Sequence, residues 1–329
     1  MIIYANRAST IIYNYLLSNY GDSGYWLIPI NSCPVVPLTF FTAGVPFKLV
    51  DIETSTYCMN SEYILKSLRD PDCKGMVYIY SYGVNISAGN LFQQVKTTRK
   101  DFKIIEDKCL NPPSFSTQKR SSYADLTLYS TGYAKYVDLG FGGFGICNRE
   151  ITYKKNQTYY NPSYLTQIES DYKRCLQENE LIDQPDPSWL DDRSLQIDNK
   201  EKYKSIVRDT RRDVTLFKRE LNAIYKKHIP SNYWLTLNGS PVSSWRFNLR
   251  LPFKKEKLIE EIFARGLFAS SHYQPVDKIF DVEVIGGEQA AYSLYDKVLN
   301  LFNDKYFSAK VAKDISDVIK HFNPYMIKL

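Results

Sequence analysis

Across residues 8–147 short apolar runs alternate with segments of helical periodicity, and this alternation constrains the fold more than any other feature. Ile11, Ile12, Tyr15 and Leu16 recur at helical spacing and predict a helix over Ala8–Asn19, ended at Tyr20-Gly21. A buried strand is expected at Tyr25–Ile30, then a short helix at Pro34–Thr42 with proline in its first turn and Gly44 as its stop. The pattern repeats: a strand at Phe47–Asp51, a helix at Asn60–Leu68, a strand at Gly75–Tyr80 and a helix at Ala88–Thr98. Strands at Phe102–Asp107, Leu126–Ser130 and Gly143–Cys147 complete the set. Strands separated by helices predict an α/β fold, a three-layer, doubly wound, mostly parallel sheet. Ligands of such sheets bind beyond the carboxyl ends of the strands.

The second half reads differently. Tyr153–Pro187, rich in Asn, Tyr, Gln and Pro, is expected to be irregular or partly helical. A long polar helix follows at Lys200–His228, broken by Pro230. Strands near Trp234–Leu237 and Trp245–Leu251, a helix at Lys254–Arg265 and a closing helix at Ser308–His321 give an α+β pattern. The expected division is a large domain over 1–198, then a linker helix and a smaller C-terminal α+β domain over 199–329.

Charge and cysteines exclude several classes. The net charge is only +6, and the densest basic cluster, Arg208–Arg212, falls in a helical pattern as a solvated face rather than a nucleic-acid stripe. Six cysteines without a C-x-x-C pair read as reduced core thiols, and with three scattered histidines no metal site is expected. No apolar run is long enough to span a membrane, and the start Met-Ile-Ile-Tyr-Ala-Asn-Arg lacks a signal-peptide layout. The expectation is a cytoplasmic protein.

Three chemical groups fall at predicted strand ends. Asp107 closes Lys103-Ile-Ile-Glu-Asp, Ser130 closes its strand, and Lys135 follows in Ser130-Thr-Gly-Tyr-Ala-Lys ahead of Gly140-Phe-Gly-Gly143. A carboxylate, a hydroxyl and an amine in this relation can hold pyridoxal phosphate. The carboxylate pairs with the ring nitrogen, the hydroxyl with the phosphate, and the amine forms a Schiff base. Tyr133, Tyr136 and Phe141 are the expected apolar shell for the amine. Asn6-Arg7-Ala8-Ser9, at the first helix start, supplies backbone amides for the phosphate. Each residue also has a plain reading: a solvated lysine, a strand-terminal acid, an ordinary N-cap. Arg246 and Arg250 suit either a substrate anion or a structural role, as do His272 and Tyr273. Gly140–Gly145 also satisfies G-x-G-x-x-G, but it leads into a strand rather than from a strand into a helix, which argues against a dinucleotide site.

Taken in order, these segments resemble the DegT/DnrJ/StrS-type sugar aminotransferases, on the type I fold of pyridoxal-phosphate-dependent enzymes. Asn6-Arg7-Ala8-Ser9-Thr10-Ile11 is similar to the family's phosphate-binding helix start. Leu27 to Val36, with Ala43-Gly44 and Val50-Asp51-Ile52, resembles its strand–helix–strand, and Ile79-Tyr-Ser-Tyr-Gly83 a further strand end. Ile105-Glu-Asp107, Ser130 through Gly143, and Ser271-His-Tyr-Gln-Pro275 continue the series. The resemblance implies that Lys135 is the catalytic lysine, bound covalently to the cofactor and shuttling a proton. Asp107 would pair with the pyridine nitrogen, while Ala8, Ser9 and Ser130 hold the phosphate. Cys33 stands where many members stack an aromatic ring on the cofactor. It implies a homodimer with shared active sites, moving an amino group, usually from glutamate, onto a nucleotide-linked keto sugar in surface-polysaccharide or modified-sugar biosynthesis. Leu110 and Phe141 replace residues that the family commonly keeps polar. They motivate the alternative of a non-catalytic or altered-reaction homologue with a binding or scaffold role.

Overall fold

The structure, a computed structural model, describes residues 1–324 apart from 22, 117–122, 149, 150, 157, 194 and 198. In its first half the strands are β1 (Ile2–Ala5), β2 (Tyr25–Pro29), β3 (Phe47–Val50), β4 (Cys73–Ile79), β5 (Lys103–Asp107), β6 (Leu126–Ser130) and β7 (Gly143–Cys147). Between them run helices α1 (Ala8–Asn19), α2 (Val35–Thr42), α3 (Ser61–Ser67) and α4 (Gly89–Thr98). After β7 come α5 (Pro162–Glu178), α6 (Lys200–His228), β8 (Thr236–Leu237), β9 (Ser240–Pro241), β10 (Phe247–Arg250) and α7 (Glu256–Ala264). The last elements are β11 (Val284–Ile285), α8 (Gln289–Tyr295), β12 (Val298–Leu301) and α9 (Ala309–His321).

Eight strands form one sheet in the order β1-β7-β6-β5-β4-β2-β3-β11. The pairs from β6 to β11 are parallel, and β7 runs antiparallel to both β1 and β6. β2, β4, β5, β6 and β7 are almost wholly buried, as expected of a sheet covered on both faces. The chain has the expected α/β class, and the C-terminal half rejoins the large sheet through β11. There the Asp51 carboxylate accepts the amides of Ala290 and Ala291, both at 3.0 Å.

Helix α6 joins two cores. Asn199 caps it, accepting from the amides of Glu201 and Lys202, and the helix spans roughly 44 Å at 1.5 Å per residue. Tyr203 and Val207 near its start pack on Tyr129 and Phe144 of the large sheet. Leu221 and Tyr225 near its end enter a second cluster with Phe247, Leu249, Leu299 and Leu301 of the β10–β12 pair and with Ile315 of α9.

Candidate functional site

The carboxyl ends of β5 and β6 lie side by side, since Asp107 pairs with Leu128 two residues before Ser130. Ser130 in turn pairs with Gly143, which pairs with Ala5 just ahead of α1. Gly143 permits a close approach. A Cβ there would lie 2.9 Å from the Ala8 amide nitrogen and 3.0 Å from its Cα. The start of α1 therefore rests directly on the end of the β6–β7 pair.

That helix start is uncapped. Arg7 occupies the cap position with no side-chain bond to the first-turn amides. Asn6, the other cap candidate, is used elsewhere: its Nδ2 donates to Asp191 and its Oδ1 accepts from the Gln196 amide. Ser130 Oγ accepts the Gly132 amide at 3.2 Å, which leaves its own proton to donate. Free helical amides, a positive helix end and a hydroxyl donor thus converge beside Ala8 and Ser9.

Asp107 is 5% exposed. Burial pushes its carboxyl above the usual range, against the Cys109 amide that Oδ1 accepts at 2.8 Å and the charge of Lys135. Lys135 is half-buried in the loop after β6. Its charge also acts on Cys33, Cys109, Tyr172 and His272. Among the described residues the Lys135 amine has no carboxylate in ion-pair contact. Cys33, at the foot of α2, has its thiol pushed up by burial despite that nearby charge.

The apolar shell differs from the sequence expectation. Tyr133 is 82% exposed, Tyr136 is turned to bond Thr215 on α6, and Phe141 packs against the Tyr203–Phe144 cluster. Distant segments supply the surroundings instead. Trp245 Nε1 donates to the Ala134 carbonyl at 2.7 Å, and its indole stacks on Tyr273 with ring centres 6.0 Å apart. His272 packs beside both rings. Burial, then the charges of Arg246 and Lys135, hold the His272 imidazole down to about 4, so it is neutral at physiological pH. The loop itself is braced by Asp138, whose carboxylate accepts the amides of Ala134 and Gly140.

Arg246 and Arg250 part company. Arg250 is exposed, whereas Arg246 precedes β10, is 5% exposed, and lies over the rings of Phe302 and Trp245. It bonds Ser270 and has no carboxylate partner among the described residues. Desolvation pulls it down to about 10. Leu110 is buried, with its carbonyl against Gly83. Phe141 is thus a packing residue here, and Leu110 a buried one.

No family model matches the sequence, and no curated protein does. Solved structures do. A putative PLP-dependent aminotransferase from Bacillus cereus ATCC 10987 superposes with a TM-score of 0.70 at 12% identity, over 97% of this chain and 85% of that one. A DegT DnrJ EryC1 StrS aminotransferase from Brucella abortus gives 0.68 at 15% identity, with the same coverages. The E. coli GDP-4-keto-6-deoxy-D-mannose-3-dehydratase, solved with hydrated PLP, gives 0.64 at 15%, over 97% and 87%. The chain has the type I fold of pyridoxal-phosphate-dependent transferases. In the frame of that fold, the uncapped α1 amides, Ser130, Asp107 and Lys135 fit the cofactor chemically: donors for a phosphate, a desolvated acid for a ring cation, and an amine in the loop after β6. No described helix is long and apolar enough to cross a membrane.

Proposed function

We propose that the protein is a pyridoxal-phosphate-dependent aminotransferase that passes an amino group from an amino acid, glutamate foremost, to the keto carbon of a nucleotide-linked sugar. The observation that carries this reading is the convergence of Lys135, Asp107, Ser130 and the uncapped α1 start at one sheet edge. The bound cofactor would supply an electron sink for the α-carbon of the donor. In this reading Ala8, Ser9 and Ser130 hold its phosphate, Cys33 lies beside its ring and Lys135 attaches it covalently. Asp107 is a buried acid offset by the Cys109 amide and thiol and the charge of Lys135, and a protonated ring nitrogen would be its close charge partner.

Lys135 Nζ is the base that takes the donor's α-proton and returns a proton at the far side of the transfer. Neutral His272 adds no charge of its own beside that amine. Arg246, buried with no carboxylate in contact among the described residues, is the natural contact for the donor's carboxylate. Net transfer exchanges a C=O on the sugar for a C–NH2, while the donor leaves as a keto acid. The same reading takes residues 1–198 as the cofactor domain, 199–329 as a linker helix and smaller domain, and the working form as a cytoplasmic homodimer in polysaccharide or modified-sugar synthesis.

The test is the visible spectrum of the purified protein with added pyridoxal phosphate, before and after glutamate, beside Lys135→Ala. A Lys135-dependent band that glutamate discharges supports the reading, and the absence of such a band sinks it. The structural neighbours include a dehydratase. Product mass on keto-sugar substrates separates gain of an amine from loss of water.

A further inference from the structure

A second cavity, of about 1050 Å³, opens behind the candidate site. Its volume is at the upper end for small-molecule pockets. Glu106 and Tyr129 line it, and these residues immediately precede Asp107 and Ser130 on the same strands. Strand alternation therefore puts the cavity on the opposite face of the sheet. Tyr136, the neighbour of Lys135, also lines it, whereas Asp107, Ser130 and Lys135 do not. Its other walls are the start of α4, the middle of α6, and the β8–β9 hairpin with the segment that follows.

The charge inside is unbalanced. Among the described residues Glu106 is the one acidic side chain in the lining, and it is already engaged by Tyr80 at 2.7 Å, Thr127 at 2.8 Å and Lys108 at 2.9 Å. Lys218, 5% exposed, gives protons to the Trp245 carbonyl and Asn303 Oδ1, both at 2.7 Å, and has no carboxylate partner among the described residues. Arg219 beside it on α6 also lacks an ion pair among them. Burying an ammonium with no carboxylate in contact is costly, and burial pulls Lys218 down to about 7 against the opposing charge of Asp304. The rest of the lining is dense in neutral hydrogen-bonding groups. Five asparagines and four serines face the space, and Asn111 Oδ1 is buried without a partner. Surplus cations call for an anion, and the amides and hydroxyls call for a ligand rich in hydroxyls.

We propose that this cavity binds a phosphorylated sugar, its phosphate toward Lys218 and Arg219 on α6 and its hydroxyls toward the asparagine- and serine-lined walls. The site is separate from the cofactor edge and does not depend on the amino-transfer reading. A ligand here contacts Tyr136 and the Glu106–Tyr129 backs of both site strands, so occupancy bears on the lysine loop from behind.

Titration calorimetry of the protein saturated with pyridoxal phosphate tests it, with glucose 1-phosphate, glucose and inorganic phosphate as probes. Saturable binding of glucose 1-phosphate is expected, with glucose and phosphate each weaker by about tenfold or more. Arg219→Glu, an exposed change that leaves the core intact, weakens the sugar phosphate by about tenfold or more. Asn90→Ala on the facing wall weakens it too, and Ser130→Ala leaves it unchanged. No saturable heat, equal affinity for glucose or phosphate alone, or indifference to Arg219→Glu overturns the proposal. Loss with Ser130→Ala also overturns it, because the probe then sits at the cofactor edge.

Discussion

The indole Nε1 of Trp245 donates to the carbonyl of Ala134 at 2.7 Å, so a residue beyond α6 fixes the backbone next to Lys135. Ala134 has φ of 58°, a left-handed conformation that alanine adopts only under local constraint. The bond and the Asp138 brace hold it there. Trp245→Phe keeps a ring against Tyr273 but drops the bond, worth about 1 kcal/mol. The expected result is a cofactor dissociation constant raised by about fivefold, with the thermal midpoint little changed. Equilibrium titration of the cofactor band checks it, and unaltered affinity would remove Trp245 from the positioning role.

Ser130 and Gly143 make separable contributions to the phosphate cradle. Ser130→Ala removes one donor to a charged group, about 1.5–3 kcal/mol, or roughly 10–150-fold in cofactor affinity. Gly143→Ala puts a Cβ 2.9 Å from the Ala8 amide nitrogen and must push the α1 start away from the strand pair. Its loss of affinity is therefore expected to exceed that of Ser130→Ala. Cofactor titration of the two variants side by side reads the order, and the reverse order would place the cradle elsewhere.

Arg246 gives a test in which stability and function move apart. A buried guanidinium with no carboxylate in contact among the described residues is a cost that the fold carries, so Arg246→Met is expected to leave the thermal midpoint unchanged or raised. If Arg246 meets the donor carboxylate, the same variant raises the KM for glutamate by about tenfold or more while the cofactor band persists. A fall in stability with KM unchanged would make Arg246 structural.

Much of the fold was legible because its cues are local. Asn199 followed by a long amphipathic run marks the helix Lys200–His228, and periodicity placed β6 and β7 at Leu126–Ser130 and Gly143–Cys147. α5 was equally marked, by Asn161-Pro162 and apolar positions at Leu165, Ile168 and Cys175, yet the surrounding polar composition masked it. β1, β11 and β12 are strands of two to four residues that none of the expected strands covered. At the site, Asp107, Ser130 and Lys135 were readable as strand-end chemistry. The Trp245 clasp, the Tyr273 stack and the burial of Arg246 were not. They depend on a segment more than a hundred residues away folding back over the loop, and no local pattern records that return.

His272 ties the pH response to this returning segment. Its backbone amide donates to Asn300 Oδ1 at 2.7 Å, which a side-chain change leaves intact. Burial first, then the charges of Arg246 and Lys135, lower the imidazole from 6.5 to about 4. Between those two values the unfolded chain takes up a proton that the folded chain refuses. Stability is thus fully present above about 6.5, falls as pH drops to about 4, and changes no further from this group below that. The contribution is about 3 kcal/mol across the window. Denaturant midpoints at pH 7.5 and pH 5 should differ more in the wild type than in His272→Asn. Equal pH sensitivity in the two proteins would mean that His272 already meets water, and that the pocket around Lys135 is open rather than enclosed.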